Sequence, residues 1–335
     1  MSFLTFGEIM LRLTPQEKSI KLGDTDQFLA GYAGSESNVA SSLAILGNTV
    51  DFITKLPNNA LGNAAIKSLL QYGIGIEGIA RGGQRIGTYF IELGHSIRPS
   101  SVLYDRAHSA ISNIKMGEFH WDTLLKDTSW VFVSGITPAL SNSCAEETIL
   151  LVETAKKLGV NVSFDFNFRR SLWTSTVKAR KIFDQILAST DLLFANTGAL
   201  SDVYGYTYKV ANTTDQTMEA IDKIKADYGV KNMAFTIRDH TSATHNTLSA
   251  VYQTENNREI ASSYSVTVLD RFGTGDAFAA AFLHGLEKKW PPKKIIDFAT
   301  AAFALKHTVK GDQHTSSETE ILSIMDGHTS GHVIR

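Results

Sequence analysis

The chain has one cysteine, Cys144, so no disulfide can form within it and a reducing compartment is the expectation. With that single thiol and its histidines scattered, the chain gives no support to a structural zinc site. An excess of basic residues is also missing. The formal net charge is −2, whereas a nucleic-acid partner usually calls for a basic face. No apolar run approaches the roughly 18 residues needed to span a bilayer. The opening stretch, Met1 to Glu8, carries no basic segment, so a signal peptide is not expected. These absences point to a cytoplasmic protein with neither nucleic acid nor membrane as partner. Two nucleotide signatures are absent too. There is no GxxxxGK[ST], which excludes a P-loop, and no GxGxxG after the first strand with an acidic residue about 20 positions on, which disfavours a dinucleotide fold. No internal repeat or low-complexity linker divides the chain.

What is present is ordinary for a globular enzyme: 335 residues, 43% hydrophobic and 20% charged, enough to bury a large core in one domain spanning 1–335. Short apolar runs at 3–6, 50–53, 130–133, 160–164, 191–194 and 232–237 read as strands. Helical patterns fall between and after them, at 39–46, 60–72, 143–158, 175–188, 217–228, 276–285, 293–307 and 317–325. Ser143 with Glu146, and Ser317 with Glu320, have the spacing of capping boxes. Segments 247–252 and 258–266 look like an edge hairpin. The alternation predicts an α/β fold, a mostly parallel central sheet with helices on both faces. Two regions fall outside it, 12–32 and 85–107. They have β character and could form a small lid sheet that excludes water from a site.

Ligands in such sheets bind beyond the carboxyl ends of the strands. That places Asp165, Asn167, Arg169, Asn196 and the turn Gly273-Thr274-Gly275-Asp276 on one rim. The Gly-Thr-Gly turn leads into a helix, so its amides and the positive dipole end converge on a position suited to a phosphate. Its glycines are expected to adopt backbone conformations that a Cβ would oppose. A carboxylate beside an anion hole needs a reason. Asp276 either removes a proton from an attacking hydroxyl or simply caps the helix, and the turn alone leaves both open. An anion hole without a P-loop suits phosphoryl transfer to an alcohol.

Two motifs then carry a resemblance over essentially the whole chain. Gly31-Tyr-Ala-Gly34-Ser-Glu-Ser-Asn38, running on to Leu46-Gly47, resembles the N-terminal substrate motif of the ribokinase-like (PfkB-type) sugar kinases. Asp270-Arg-Phe-Gly273-Thr-Gly275-Asp276 resembles their C-terminal motif, usually written DTxGAGD. Within that family the stretch from Arg98 to Ala110, Asp165-Phe-Asn167-Phe-Arg169 and the Asp-Arg form of the late motif look most like 2-keto-3-deoxygluconate kinases. His307-Thr-Val-Lys-Gly311-Asp312 is similar to the late segment of the Gram-positive-type members.

The resemblance implies ATP as phosphoryl donor with Mg2+, and leaves the need for a monovalent cation open. It implies Asp276 as base, with the amides of Gly273, Thr274, Gly275 and Asp276 as anion hole. Gly34, Asn38, Tyr89, Tyr104, Arg106, Asn167, Arg169 and Asp312 would hold the acid sugar, two arginines suiting its carboxylate. Asn196 and Arg238, with Gly273 and Gly275, would face the nucleotide. A homo-oligomer formed through the lid is a further expectation by analogy. Two departures stand out. Ala199 occupies the place of a glutamate linked to magnesium, and Arg238 to Ala243 replaces a Gly-x-x-Gly turn. A fructokinase of the same family and a catalytically weak sugar-binding protein remain as alternatives.

Overall fold

The computed structural model describes residues 2–18 and 20–331. Met1, Ser19 and residues 332–335, which belong to the expected 1–335 domain and in one case to the 12–32 lid segment, lie outside the described residues.

Strands whose alternate side chains are both apolar must be covered on both faces, and the main sheet is built that way. Leu4 and Phe6 of Ser2–Phe6, Val131 and Val133 of Trp130–Ser134, and Met233 and Phe235 of Asn232–His240 enter one buried cluster. Their neighbours Phe3, Phe132 and Ala234 enter the other. The first cluster is closed by Asn142–Leu158, Thr176–Leu187 and Thr213–Tyr228, and the second by Ser35–Ile45, Thr274–Glu287 and Pro292–Lys306. The strand order, from one edge, is Arg258–Ile260, His245–Gln253, Asn232–His240, Leu192–Ala195, Asn161–Asp165, Trp130–Ser134, Ser2–Phe6, Thr49–Ile53. The last six are mutually parallel, so their carboxyl ends share one rim. His245–Gln253 is antiparallel, and both Arg258–Ile260 and Tyr264–Thr267 pair with it. The expected edge hairpin is therefore two short strands rather than one continuous arm.

Helix ends follow the sequence chemistry with small corrections. Ser317 and Glu320 form the expected capping box ahead of Glu318–Met325. The helix Asn142–Leu158 is capped by Ser141, which accepts from the Cys144 amide, and not by Ser143, which lies inside it. Asn212 caps Thr213–Tyr228, four residues before the expected start. A short helix, Thr197–Tyr204, was not foreseen.

The lid exists as a separate four-stranded sheet in the order Phe28–Ala33, Met10–Pro15, Thr88–Glu92, Ser101–Asp105. Its inner face buries Met10, Ala33, Tyr89, Ile91 and Leu93, against which Phe272 of the late turn packs. Its outer side exposes Phe28 and Leu103, with Phe28 against Phe90, while the exposed Leu29 alternates to the other face at the sheet edge. Lys55–Leu56 and Ala80–Arg81 form a two-stranded pair of their own. Among the described residues no helix is long and apolar enough to cross a membrane.

Candidate active site

The rim of the parallel strands meets the lid at the turn before Thr274–Glu287. Gly273 has φ +71°, a left-handed conformation that only glycine adopts freely, and a Cβ there would lie 1.8 Å from the Asp312 carbonyl oxygen. Gly275 is different. Its φ is not in that region and a Cβ would meet nothing within 4 Å. The expectation that both glycines serve conformation is corrected: Gly273 does, and Gly275 leaves open space at the helix end. The first-turn amides here have no partner within the helix and point outward with the positive end of its dipole. Asp270 pins the turn by accepting from the Phe272 amide at 3.0 Å and from the Gly311 amide at 3.0 Å.

Asp276 is the third residue of this helix, and the N-cap is Gly273. Its carboxylate is not spent on capping. It accepts instead from Ser35 Oγ at 2.7 Å and from Asn38 Nδ2 at 2.7 Å, both on the first turn of Ser35–Ile45. The choice left open by the sequence thus goes against the cap. Burial pushes the Asp276 carboxyl up to about 7, over the opposing pull of those two donors, and the charges of Asp165 and Asp312 add to the rise. A carboxyl poised there can take a proton near neutral pH.

On the lid side of Asp276 is a small cavity of about 80 Å3, and all eight positions expected to hold the sugar line it, from Gly34 to Asp312. Gly34 is required by contact: a Cβ would lie 1.8 Å from the Glu8 carbonyl oxygen. Asn167, with φ +24°, donates to Ser35 Oγ at 3.1 Å and to Asp165 Oδ2 at 3.2 Å, so the strand-end carboxyl and the helix carrying Asn38 are one network. Tyr89 donates to Asp312 at 2.9 Å. Arg106 is buried and bonded to Glu8 at 2.8 Å through Nε, with the Tyr104 ring stacked on its guanidinium. One of the two expected arginines therefore already has a carboxylate. Arg169 is exposed and faces the Asp165 carboxyl, which burial pushes up to about 6 against the pull of Arg169.

Beyond Asp276 on the other side opens a cavity of about 750 Å3 lined by Asn196, Arg238, Gly273 and Gly275, the positions expected to face the nucleotide. Asn196 also caps Thr197–Tyr204 by accepting from the Ala199 amide at 3.0 Å. Arg169, Arg238 and Arg271 project positive charge into this space. Arg238 donates to Thr274 Oγ1 at 3.0 Å, and burial, then the charges of Arg271 and Arg169, press its guanidinium down to about 10. A guanidinium so destabilised gains from any anion brought beside it. No group of three or more His, Cys, Asp or Glu able to hold a metal is found among the described residues.

Four participants escaped sequence reading. Ser35 stands three residues before Asn38 on one helical face, the spacing that could have paired them. Glu8 follows the carboxyl end of Ser2–Phe6, where the rim rule could have flagged it. Arg12 ion-pairs with both Asp270 and Asp312, across the whole length of the chain, and no local signal announces it. Arg271 lies within the late motif, whose Asp-Arg form carried no role for it.

The chain matches the model of the "pfkB family carbohydrate kinase" over residues 2–320. It is 31% identical to a 2-dehydro-3-deoxygalactonokinase of Haloferax volcanii, with 98% of each chain covered. Its structure superposes on a 2-dehydro-3-deoxygluconokinase of Thermotoga maritima with a TM-score of 0.94 and 38% identity, again with 98% of each chain covered. A putative 2-keto-3-deoxygluconate kinase of Enterococcus faecalis gives 0.92 and 30% identity, over 100% of this chain and 99% of that one. With these matches spanning the fold, and the Asp276 carboxyl buried at the meeting of sheet and lid, the chain belongs to the pfkB family and is a sugar kinase of ribokinase-like α/β architecture.

Proposed function

We propose that this kinase transfers the γ-phosphoryl group of ATP to the terminal (6-) hydroxyl of 2-keto-3-deoxygluconate. The observation that carries the reading is the exposed guanidinium of Arg169, on the wall of the same small cavity as the poised Asp276 carboxyl. A fork of N–H donors suits the carboxylate of an acid sugar and would be wasted on a neutral one. Both relatives in the range of 31–38% identity are named for ketodeoxy acid sugars, which supports the same class.

In this reading the sugar lies under the lid with its terminal hydroxyl against Asp276. Asp276 takes the hydroxyl proton as the oxygen attacks the γ-phosphorus, and ADP leaves into the larger cavity. The amides of Gly273 to Asp276 hold charge that grows on the phosphoryl oxygens, an interaction strongest in the transition state. Arg238 and Arg271 bind the phosphate chain. Magnesium suits this wall only as an ion shared with phosphate oxygens and one or two carboxylates. Asp165 is the group on the rim chemically fitted to that, with Ala199 in place of an acidic neighbour. Bound there, the ion would neutralise phosphate charge. The outer lid face, with Phe28 and Leu103 exposed, is the surface through which two copies would pair.

A coupled ADP-release assay with ATP and magnesium, run on 2-keto-3-deoxygluconate, fructose and ribose, tests the substrate. Turnover on the acid sugar alone is expected; preference for fructose would discard the carboxylate argument and keep the kinase. Arg169→Ala is expected to raise the acid-sugar KM about tenfold or more while leaving any fructose turnover within about twofold. Arg106→Ala is the poorer probe, because it strands the buried Glu8 carboxylate and costs stability as well as binding.

A further inference from the structure

Lys306 is completely buried, an uncommon place for an ammonium group. It ends the helix Pro292–Lys306, and its Nζ donates to the carbonyl oxygens of Val309 at 3.0 Å and Gly311 at 2.6 Å. The segment it gathers is not remote. The Gly311 amide donates to Asp270, the pin of the anion-hole turn, and the Asp312 carbonyl lies against Gly273 where a Cβ would otherwise stand. Burial lowers the lysine's proton affinity, while the fields of Asp270, Asp312 and Asp276 act to retain the charge. Nothing in the proposed chemistry uses this group directly.

We infer that the Lys306 ammonium is a cation built into the chain that shapes the anion hole: by turning the Val309 and Gly311 carbonyls inward it seats Asp312 against Gly273, so that no monovalent metal ion is needed there. Lys306 is a positioning residue, acting through the backbone of 307–312. Two carbonyl oxygens with carboxylates nearby are also the ligand set that a potassium or ammonium ion accepts. Removing the lysine side chain therefore creates a place for such an ion. The inference rests on the role proposed above for the Gly273 turn.

The test compares the wild-type chain with Lys306→Ala in buffers whose only monovalent cation is tetramethylammonium, then with ammonium, methylammonium or potassium chloride added. Wild-type kcat is expected to change less than about twofold on any addition. Lys306→Ala is expected to lose about 100-fold in kcat with the sugar KM within about threefold, and to regain at least about tenfold with ammonium or potassium. Strong activation of the wild type by potassium would overturn the inference. So would a variant whose loss no small cation relieves, since a purely structural defect is indifferent to the ion. Lys306→Ser, which also leaves room for an ion, replaces the alanine variant if that one does not fold, whereas Lys306→Met, which fills the space, is expected to regain nothing with ammonium or potassium. Thermal melting in the same salts needs no sugar: the variant is expected to gain stability with ammonium and the wild type is not. A wrong substrate therefore leaves this readout intact, whereas equal melting responses in both proteins would sink the inference alone.

Discussion

Asp276→Asn is expected to lower kcat roughly a thousandfold while calorimetric sugar affinity stays within about threefold, because the substitution removes the base and keeps the shape. The amide oxygen can still accept from Asn38, and the Ser35 hydroxyl can turn to accept from the new NH2, so the fold is expected to survive. Unchanged turnover would end the mechanism proposed here, and lost sugar binding would mean that Asp276 is a binding group first. The wild type offers a second view of the same carboxyl. With its folded value near 7, well above the ordinary carboxylate range, kcat is expected to fall as pH drops through about 7, where the base becomes protonated. The sign for stability is opposite. A raised carboxyl favours the folded protein at low pH, and that contribution is lost as pH rises through about 7. Rate should then rise and melting temperature fall as pH goes from about 4 to about 7, and both should level off above it. Asp276→Asn should abolish both trends.

Gly273→Ala is the second large effect. Its Cβ would meet a backbone oxygen at 1.8 Å, and φ +71° is unfavourable for alanine, so the 307–312 segment has to move away. The expected cost is about 1–3 kcal/mol in stability. Since the segment and the anion hole move together, kcat should drop by about 100-fold or more. Gly275→Ala is the matched control. Its Cβ enters open space, so the melting temperature is expected to hold, while a phosphate that approaches this point would be pushed back and the KM for ATP would rise. Wild-type nucleotide kinetics in Gly275→Ala would show that the phosphate chain runs elsewhere.

These two glycines also show where sequence reading reaches its limit. The motif located the turn, but GxGD cannot distinguish a glycine demanded by its φ and a neighbouring carbonyl from one that leaves room for a ligand. The layered sheet was legible because its strands are apolar on both faces and outer helices such as Thr176–Leu187 on one, a periodicity that survives without any knowledge of partners. Helix starts were less so: Ser143 has a capping spacing, yet Ser141 two residues earlier does the capping, since either serine satisfies the local pattern. The positions expected to hold a sugar come together around one small cavity, because most of them follow strand ends or sit in a recognisable motif. The pairing of its charges was not legible. That Arg106 is spent on Glu8, and that Arg12 bridges Asp270 and Asp312, depends on pairs separated by nearly a hundred and by three hundred positions. Only folding brings such groups within reach of each other.

The strand Ser2–Phe6 has a bearing on how the protein is made. It lies inside the main sheet, between Thr49–Ile53 and Trp130–Ser134. On the ribosome its first neighbour is soon synthesised, but its other edge waits for Trp130–Ser134 to emerge. At about 5–20 residues per second that interval lasts several seconds. Throughout it, Phe3, Leu4 and Phe6 belong to an incomplete sheet with a free hydrogen-bonding edge, the kind of surface that invites pairing with the wrong chain. Slower translation between these two strands is expected to lengthen that exposure.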